Sequence, residues 1–112
     1  MSTRTLSKQK NLSDEDLLKL YLLDGDLNHL GDLYQKHSEM VYYVCLRYFK
    51  ETERSKDAVM QIFEELIDKV KKQDIQDFPR WLYVVSKNHC LMALRSAKNK
   101  QEIVTDNFVE FS

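Results

Sequence analysis

Apolar residues recur along this chain with the helical period of about 3.6, in four blocks separated by polar breaks. The first block, Leu17, Leu18, Tyr21 and Leu22, follows Ser13 and the acids Asp14, Glu15 and Asp16. A capping hydroxyl followed by acids at the positive end of the helix dipole is a strong helix start. Gly25 supplies the stop. Asp26 caps a second helix, whose stripe is Leu27, Leu30, Leu33, Tyr34, Val41, Val44, Cys45 and Tyr48 and which runs to about Phe49. Met40, Tyr42, Tyr43 and Leu46 widen its apolar surface and predict that it is covered on more than one side. After a polar break over residues 51–55, a third helix carries Ala58, Val59, Ile62, Phe63, Leu66, Ile67 and Val70 on one face. Residues 73–78 form a short loop. Pro79 suits the first residue of a fourth helix, with Asp77 or Phe78 as cap, running to about Lys98. The expectation is an all-α fold, a compact four-helix domain over residues 13–100. Residues 1–12 are expected to be a flexible tail, and residues 101–112 a linker or tail.

Composition narrows the class. The 112 residues suffice for one domain with its own core. Two glycines and one proline are too few for a many-stranded β fold or a glycine-rich phosphate loop. The N-terminus lacks the apolar centre of a signal peptide, which places the expected site of action in the cytoplasm. Cys45 and Cys90 read as small buried residues. His29, His37 and His89 are scattered, and no metal site is expected. No nucleophile, acid–base pair or cofactor motif has a catalytic spacing, so an enzyme is not expected.

Charge is unevenly placed. Between residues 78 and 101 stand five basic residues, Arg80, Lys87, Arg95, Lys98 and Lys100, and no acidic one. Between residues 13 and 36 stand six acids and two basic residues. One end of the molecule can face phosphate while another repels it.

The most specific string is WLYVVSKN, Trp81 to Asn88, with Arg95 seven residues further on. It resembles the second conserved region of bacterial RNA polymerase sigma factors, in the extracytoplasmic-function (ECF) subgroup. DAVMQIFEEL, Asp57 to Leu66, is similar to that family's polymerase-binding helix, and Leu22 to Tyr43 is similar to its opening. The chain departs from the family pattern at Ser55-Lys56, Met60, Gln61 and Met92.

The resemblance implies a transcription initiation domain that binds core RNA polymerase and recognises and melts the minus-ten promoter element. It implies polymerase contacts at Asp57, Met60, Gln61, Ile62 and Glu64, on the basic clamp coiled coil of the β′ subunit. It implies promoter contacts at Arg80, Trp81, Lys87, Asn88, Arg95 and Lys98, chiefly to the single-stranded non-template strand. An anti-sigma factor joins the expected partners; no membrane or cofactor does. Sigma factors of this kind normally carry a second, helix-turn-helix domain, so the expectation is either an isolated first domain, with residues 101–112 opening the interdomain linker, or a single-domain form. Asn88 has both a donor and an acceptor for a base edge, and the basic residues suit phosphates. Trp81 is expected to be a core anchor ahead of a stacking platform, and the loop 73–79 to shape a pocket for an unpaired base. The alternative from another class is a helical protein-interaction module, an adaptor without a DNA role, which leaves the one-sided charge of residues 78–101 unexplained.

Overall fold

The computed structural model describes residues 12–105, which form four helices: α1 (Asp14–Asp24), α2 (Leu27–Phe49), α3 (Thr52–Lys69) and α4 (Phe78–Thr105). Residues 1–11 and 106–112, and the side chains of residues 98–105 with Lys98 and Lys100 among them, lie outside the described residues. The expected all-α, four-helix architecture is the observed one, and no strand occurs among the described residues.

Local signals set most of the boundaries. The Ser13 hydroxyl accepts from the backbone N–H of Asp16 at 3.1 Å and starts α1. Gly25, with φ at +69°, takes the left-handed position that a Cβ disfavours and donates back to the Tyr21 carbonyl at 2.7 Å. Asp26 caps α2 through a 2.9 Å bond from Asn28 N–H. Lys50 closes α2 in the same left-handed conformation, with φ at +60°, where most helices use glycine.

Helix α2 is the central element and packs on all three others, as its broad apolar surface predicts. Leu17, Tyr21, Leu30, Leu33, Val41, Ile62, Leu66 and Leu82 are all buried in one core. Two tyrosines fasten that core to α3. The Tyr34 hydroxyl donates to the Val59 carbonyl at 2.7 Å, and the Tyr21 hydroxyl to the Ile67 carbonyl at 3.0 Å. Each is a buried polar tip given a partner, so neither opposes folding. Cys45 of α2 and Cys90 of α4 are buried, unlinked thiols, as expected. Burial, with Cys90 alongside, pushes the Cys45 thiol up to about 12, which keeps it protonated and unreactive.

Several expectations shift. Helix α3 starts at Thr52, inside the expected polar break, and Ser55 is fully buried. Its hydroxyl donates to the Glu51 carbonyl one turn back at 2.7 Å, so burial leaves no polar group unmet. Ser86 does the same on α4, toward the Leu82 carbonyl at 2.8 Å. Leu22 and Leu27, placed by periodicity on buried stripes, are each 48% exposed, because they flank the α1–α2 turn. Helix α4 continues past Lys98 to Thr105; no glycine or proline in that stretch stops it.

Candidate nucleic-acid interface

Helices α3 and α4 run antiparallel: Glu65 meets His89, and further along Gln61 lines the same groove as Met92. Each buries one stripe and turns another outward. On α3 the outward residues include Glu53, Asp57, Glu64 and Asp68, with Met60 67% exposed among them. On α4 they include Arg80, Val84, Asn88, Leu91 and Arg95, with Lys87 partly covered. Arg80, Lys87 and Arg95 have no carboxylate partner among the described residues. One stripe of α3 is thus acidic, with Arg54 and Lys56 exposed to either side of it, while the outward side of α4 carries basic residues and no acidic one among the described residues.

The sequence-derived site residues divide accordingly. Asp57, Met60, Gln61 and Glu64 are exposed on α3. Ile62 is not: it is 0% exposed in the core, so it supports that face from behind and offers no surface to a partner. Its position in the apolar stripe already carried that signal. Arg80, Asn88 and Arg95 are exposed, and Lys87 half-exposed, on α4. Asn88 and Arg95 stand seven residues apart, two helical turns, and fall on one stripe.

Trp81 is neither a full core residue nor an open platform. It is half-buried against the core, 5.9 Å from the Phe78 ring centroid, and its indole N–H donates to Gln73 Oε1 at 2.9 Å. A residue of α4 therefore holds the preceding loop. Asp77 completes the helix start: its Oδ1 accepts from Arg80 N–H at 3.3 Å and its carbonyl from Trp81 N–H at 2.9 Å. Asp77 is the cap, Phe78 the first helical residue, and Pro79 the second.

The loop opens onto a cleft of about 470 Å³. Its opposite wall is α1, through Asp14, Glu15, Leu18, Lys19 and Leu22. Periodicity along α4 does not reveal this wall, because it depends on how α1 packs beside the loop. The wall is anchored by Asp14, whose two oxygens each take a 2.7 Å contact, from Lys36 and from His37 of α2. Burial alone would raise the Asp14 carboxyl, but the hydrogen bonds from Lys36 and His37 outweigh it and hold it below its usual value.

A second cleft, about 360 Å³, lies in the groove between α3 and α4, lined by Gln61, Glu65, Lys69, Asn88, His89 and Met92 among others. It brings Gln61, expected on the polymerase side, and Asn88, expected on the DNA side, to one groove. Glu65 bridges it, 2.6 Å from His89 Nδ1 and 3.0 Å from Lys69 Nζ. Glu64 and Glu65 diverge around the helix as adjacent residues must, and only Glu65 turns inward. One histidine has two carboxylates beside it: Asp24, Asp26 and His29 converge within 4.8 Å at the α1–α2 turn. Both carboxylates there already accept backbone N–H groups, from Asp26 and from Asn28.

No helix among the described residues is long and apolar enough to cross a membrane. The chain matches the family model described as Sigma-70 region 2 over residues 33–100. No curated protein and no solved structure matches it. The matched stretch covers α3, most of α2 and most of α4, and so contains both outward faces; α1 lies outside it. The family is one of transcription factors, not of enzymes. With well over half of its length matched and its helices in the expected order, the chain belongs to the Sigma-70 region 2 family, the part of a sigma factor that binds core RNA polymerase and recognises promoter DNA.

Proposed function

We propose that this chain is the region two domain of an ECF-subgroup sigma factor acting in the bacterial cytoplasm, and that it opens the minus-ten element. Asp57, Met60, Gln61 and Glu64 dock on a basic helical hairpin, the clamp coiled coil of the polymerase β′ subunit. Arg80, Lys87, Arg95 and Lys98 hold phosphates of the non-template strand. Asn88 reads a base edge, and an unpaired base enters the cleft between the loop and α1. An anti-sigma factor regulates the domain by covering one of these faces.

The observation that carries this reading is the opposite charge on the outward faces of α3 and α4, with the loop cleft at the start of the basic one. An acidic face carrying an exposed methionine suits a basic protein surface. A basic face with an amide between its charges suits a nucleic-acid strand. Holding one base out of the stack costs a few kcal/mol, which a cleft offsets by contact and hydrogen bonding.

The test separates the two faces. Asp57→Arg should abolish pull-down of core polymerase while leaving the circular dichroism spectrum helical. Asn88→Ala should keep the pull-down and lose permanganate reactivity of the opened promoter in a sequence-dependent way. A folded Asp57→Arg protein that still captured core enzyme would remove the α3 interface. A chain that never co-purified with core enzyme would return the adaptor reading.

A further inference from the structure

All three histidines of the chain stand beside carboxylates, but one differs from the other two. His37 Nε2 lies 2.7 Å from Asp14 Oδ2 and His89 Nδ1 lies 2.6 Å from Glu65 Oε2, each a hydrogen bond to a single acid. His29 sits between two acids and makes no hydrogen bond to either. Its Nε2 is 3.3 Å from Asp24 Oδ2 and 3.9 Å from Asp26 Oδ2, and its side chain is only 12% exposed. Its Nδ1 is buried with no partner among the described residues. A buried imidazole with neither nitrogen hydrogen-bonded is uncommon.

Each of the two acids is oriented by its other oxygen. Asp24 Oδ1 accepts Asp26 N–H at 2.9 Å, and Asp26 Oδ1 accepts Asn28 N–H at 2.9 Å. No lysine or arginine pairs with either acid among the described residues. A zinc ion about 2.0–2.1 Å from each ligand sets tetrahedral neighbours about 3.3 Å apart. That is the spacing of Nε2 from Asp24, and the half-exposed carboxylates can close the longer pair. The C-terminal end of α1 meets the N-terminal end of α2 here, so the helix dipoles oppose each other and the two acids set the local sign. A ligated Nε2 leaves the imidazole proton on Nδ1. Asp32, one turn further along α2, has a buried Oδ2 that also lacks a partner among the described residues. An orphan donor and an orphan acceptor one turn apart suit a carboxylate that steadies a metal-bound imidazole from behind.

We propose that Asp24, Asp26 and His29 bind a divalent cation of the zinc class, with water completing its shell, and that the ion fastens α1 to α2. An imidazole beside two carboxylates suits such an ion ahead of calcium or magnesium, which favour oxygen ligands alone. Asp24 is the last residue of α1 and His29 lies in the first turn of α2, so the ion spans the Gly25 turn. The scattered histidines predict no metal site; here one histidine suffices because two acids complete the set. All three ligands precede the matched residues 33–100, so the site belongs to this chain's own α1–α2 turn. None of them stands on the α3 or α4 face, and the site does not depend on what those faces bind.

The experiment titrates zinc chloride into the full chain in a non-chelating buffer at neutral pH. It is followed by calorimetry and by the histidine ring-proton signals in NMR, assigned with His37→Gln and His89→Gln. One zinc should bind per chain, moving the His29 signals and leaving those of His37 and His89 in place. Free zinc at about a hundred times its Kd should raise the folding equilibrium constant about a hundredfold in urea denaturation. His29→Gln and Asp24→Asn should each weaken binding by at least the roughly ten- to hundredfold that loss of a supporting partner costs. Asp24→Asn keeps the oxygen that accepts Asp26 N–H, so it carries the test should His29→Gln fail to fold. Zinc that bound Asp24→Asn as tightly as the unaltered chain, zinc that moved the His37 or His89 signals instead, or no binding up to millimolar zinc would each overturn the site.

Discussion

Helices α3 and α4 lie side by side and share a core, yet face solvent with opposite chemistry. The outward side of α3 carries Asp57, Glu64 and Asp68 around an exposed Met60; that of α4 carries Arg80, Asn88 and Arg95 around Val84 and Leu91. Their buried sides are alike, Ile62 and Leu66 against Leu82 and Val85. The inner stripes of such a pair decide that it folds, and the outer stripes decide what it meets. Substitutions on either side should therefore separate cleanly.

The largest effect belongs to the inner stripe. Leu82→Ala removes a fully buried side chain and should cost about 2–5 kcal/mol in urea denaturation. Its neighbour Trp81→Ala should cost about 1–3 kcal/mol, since the indole is half-buried and loses one hydrogen bond with its contacts. Equal losses at both positions would show that the Trp81 indole counts as a full core side chain.

Next is charge reversal on the outer stripe of α3. Asp57→Arg should weaken capture of core polymerase by a factor of roughly ten or more, about 1.4 kcal/mol, with unchanged stability. If it also weakened binding of promoter DNA to the preformed complex, the two faces would not be separate.

On α4 the expected effects are smaller and differ in kind. Asn88→Ala should cost about 1–3 kcal/mol at one base position and little at others, read by permanganate footprinting of open complexes. Lys87→Ala should instead weaken binding uniformly and lower the salt slope by about one. Identical, sequence-independent losses from both would make Asn88 a backbone or structural residue. The Glu65–His89 contact, which joins α3 to α4 beside Asn88, offers one route to such an outcome.

The smallest effect concerns the α1 wall that completes the cleft. The folded pKa of Asp14 is depressed, so its contribution to stability is present above the unfolded value of about 4 and is lost as pH falls through the folded value. Asp14→Asn should therefore flatten the acid limb of the stability curve below about pH 4, with a change under roughly 1 kcal/mol at neutral pH. An unchanged acid limb would show that the Lys36 and His37 contacts do not hold the wall.

Much of this was legible along the chain. Ser13, Gly25 and Asp26 mark helix ends because capping is local chemistry, and each does in the structure what its type predicts. The placement of Asn88 and Arg95 on one exposed stripe follows from a spacing of seven. Other features were not legible. Ser55 looked like part of a break because hydroxyls usually mark loops, yet a bond to the preceding turn lets it lie in the core. Ile62 resembled a partner contact because a family motif spans it, while its period assigned it inward. Lys50 takes a glycine-like conformation that its side chain does not announce.

The sequence by itself determined four helices, their core-facing stripes and the separation of acidic from basic segments, because periodicity and capping act over one or two turns. Only the tertiary structure decided which separated residues meet. It set Glu15 of α1 opposite Asp74 and Asp77 across a cleft, Gln61 beside Asn88 in a groove, and Trp81 against Gln73. Those meetings depend on how one helix lies against another, and a repeat within a single helix specifies which face turns inward but not what that face will find.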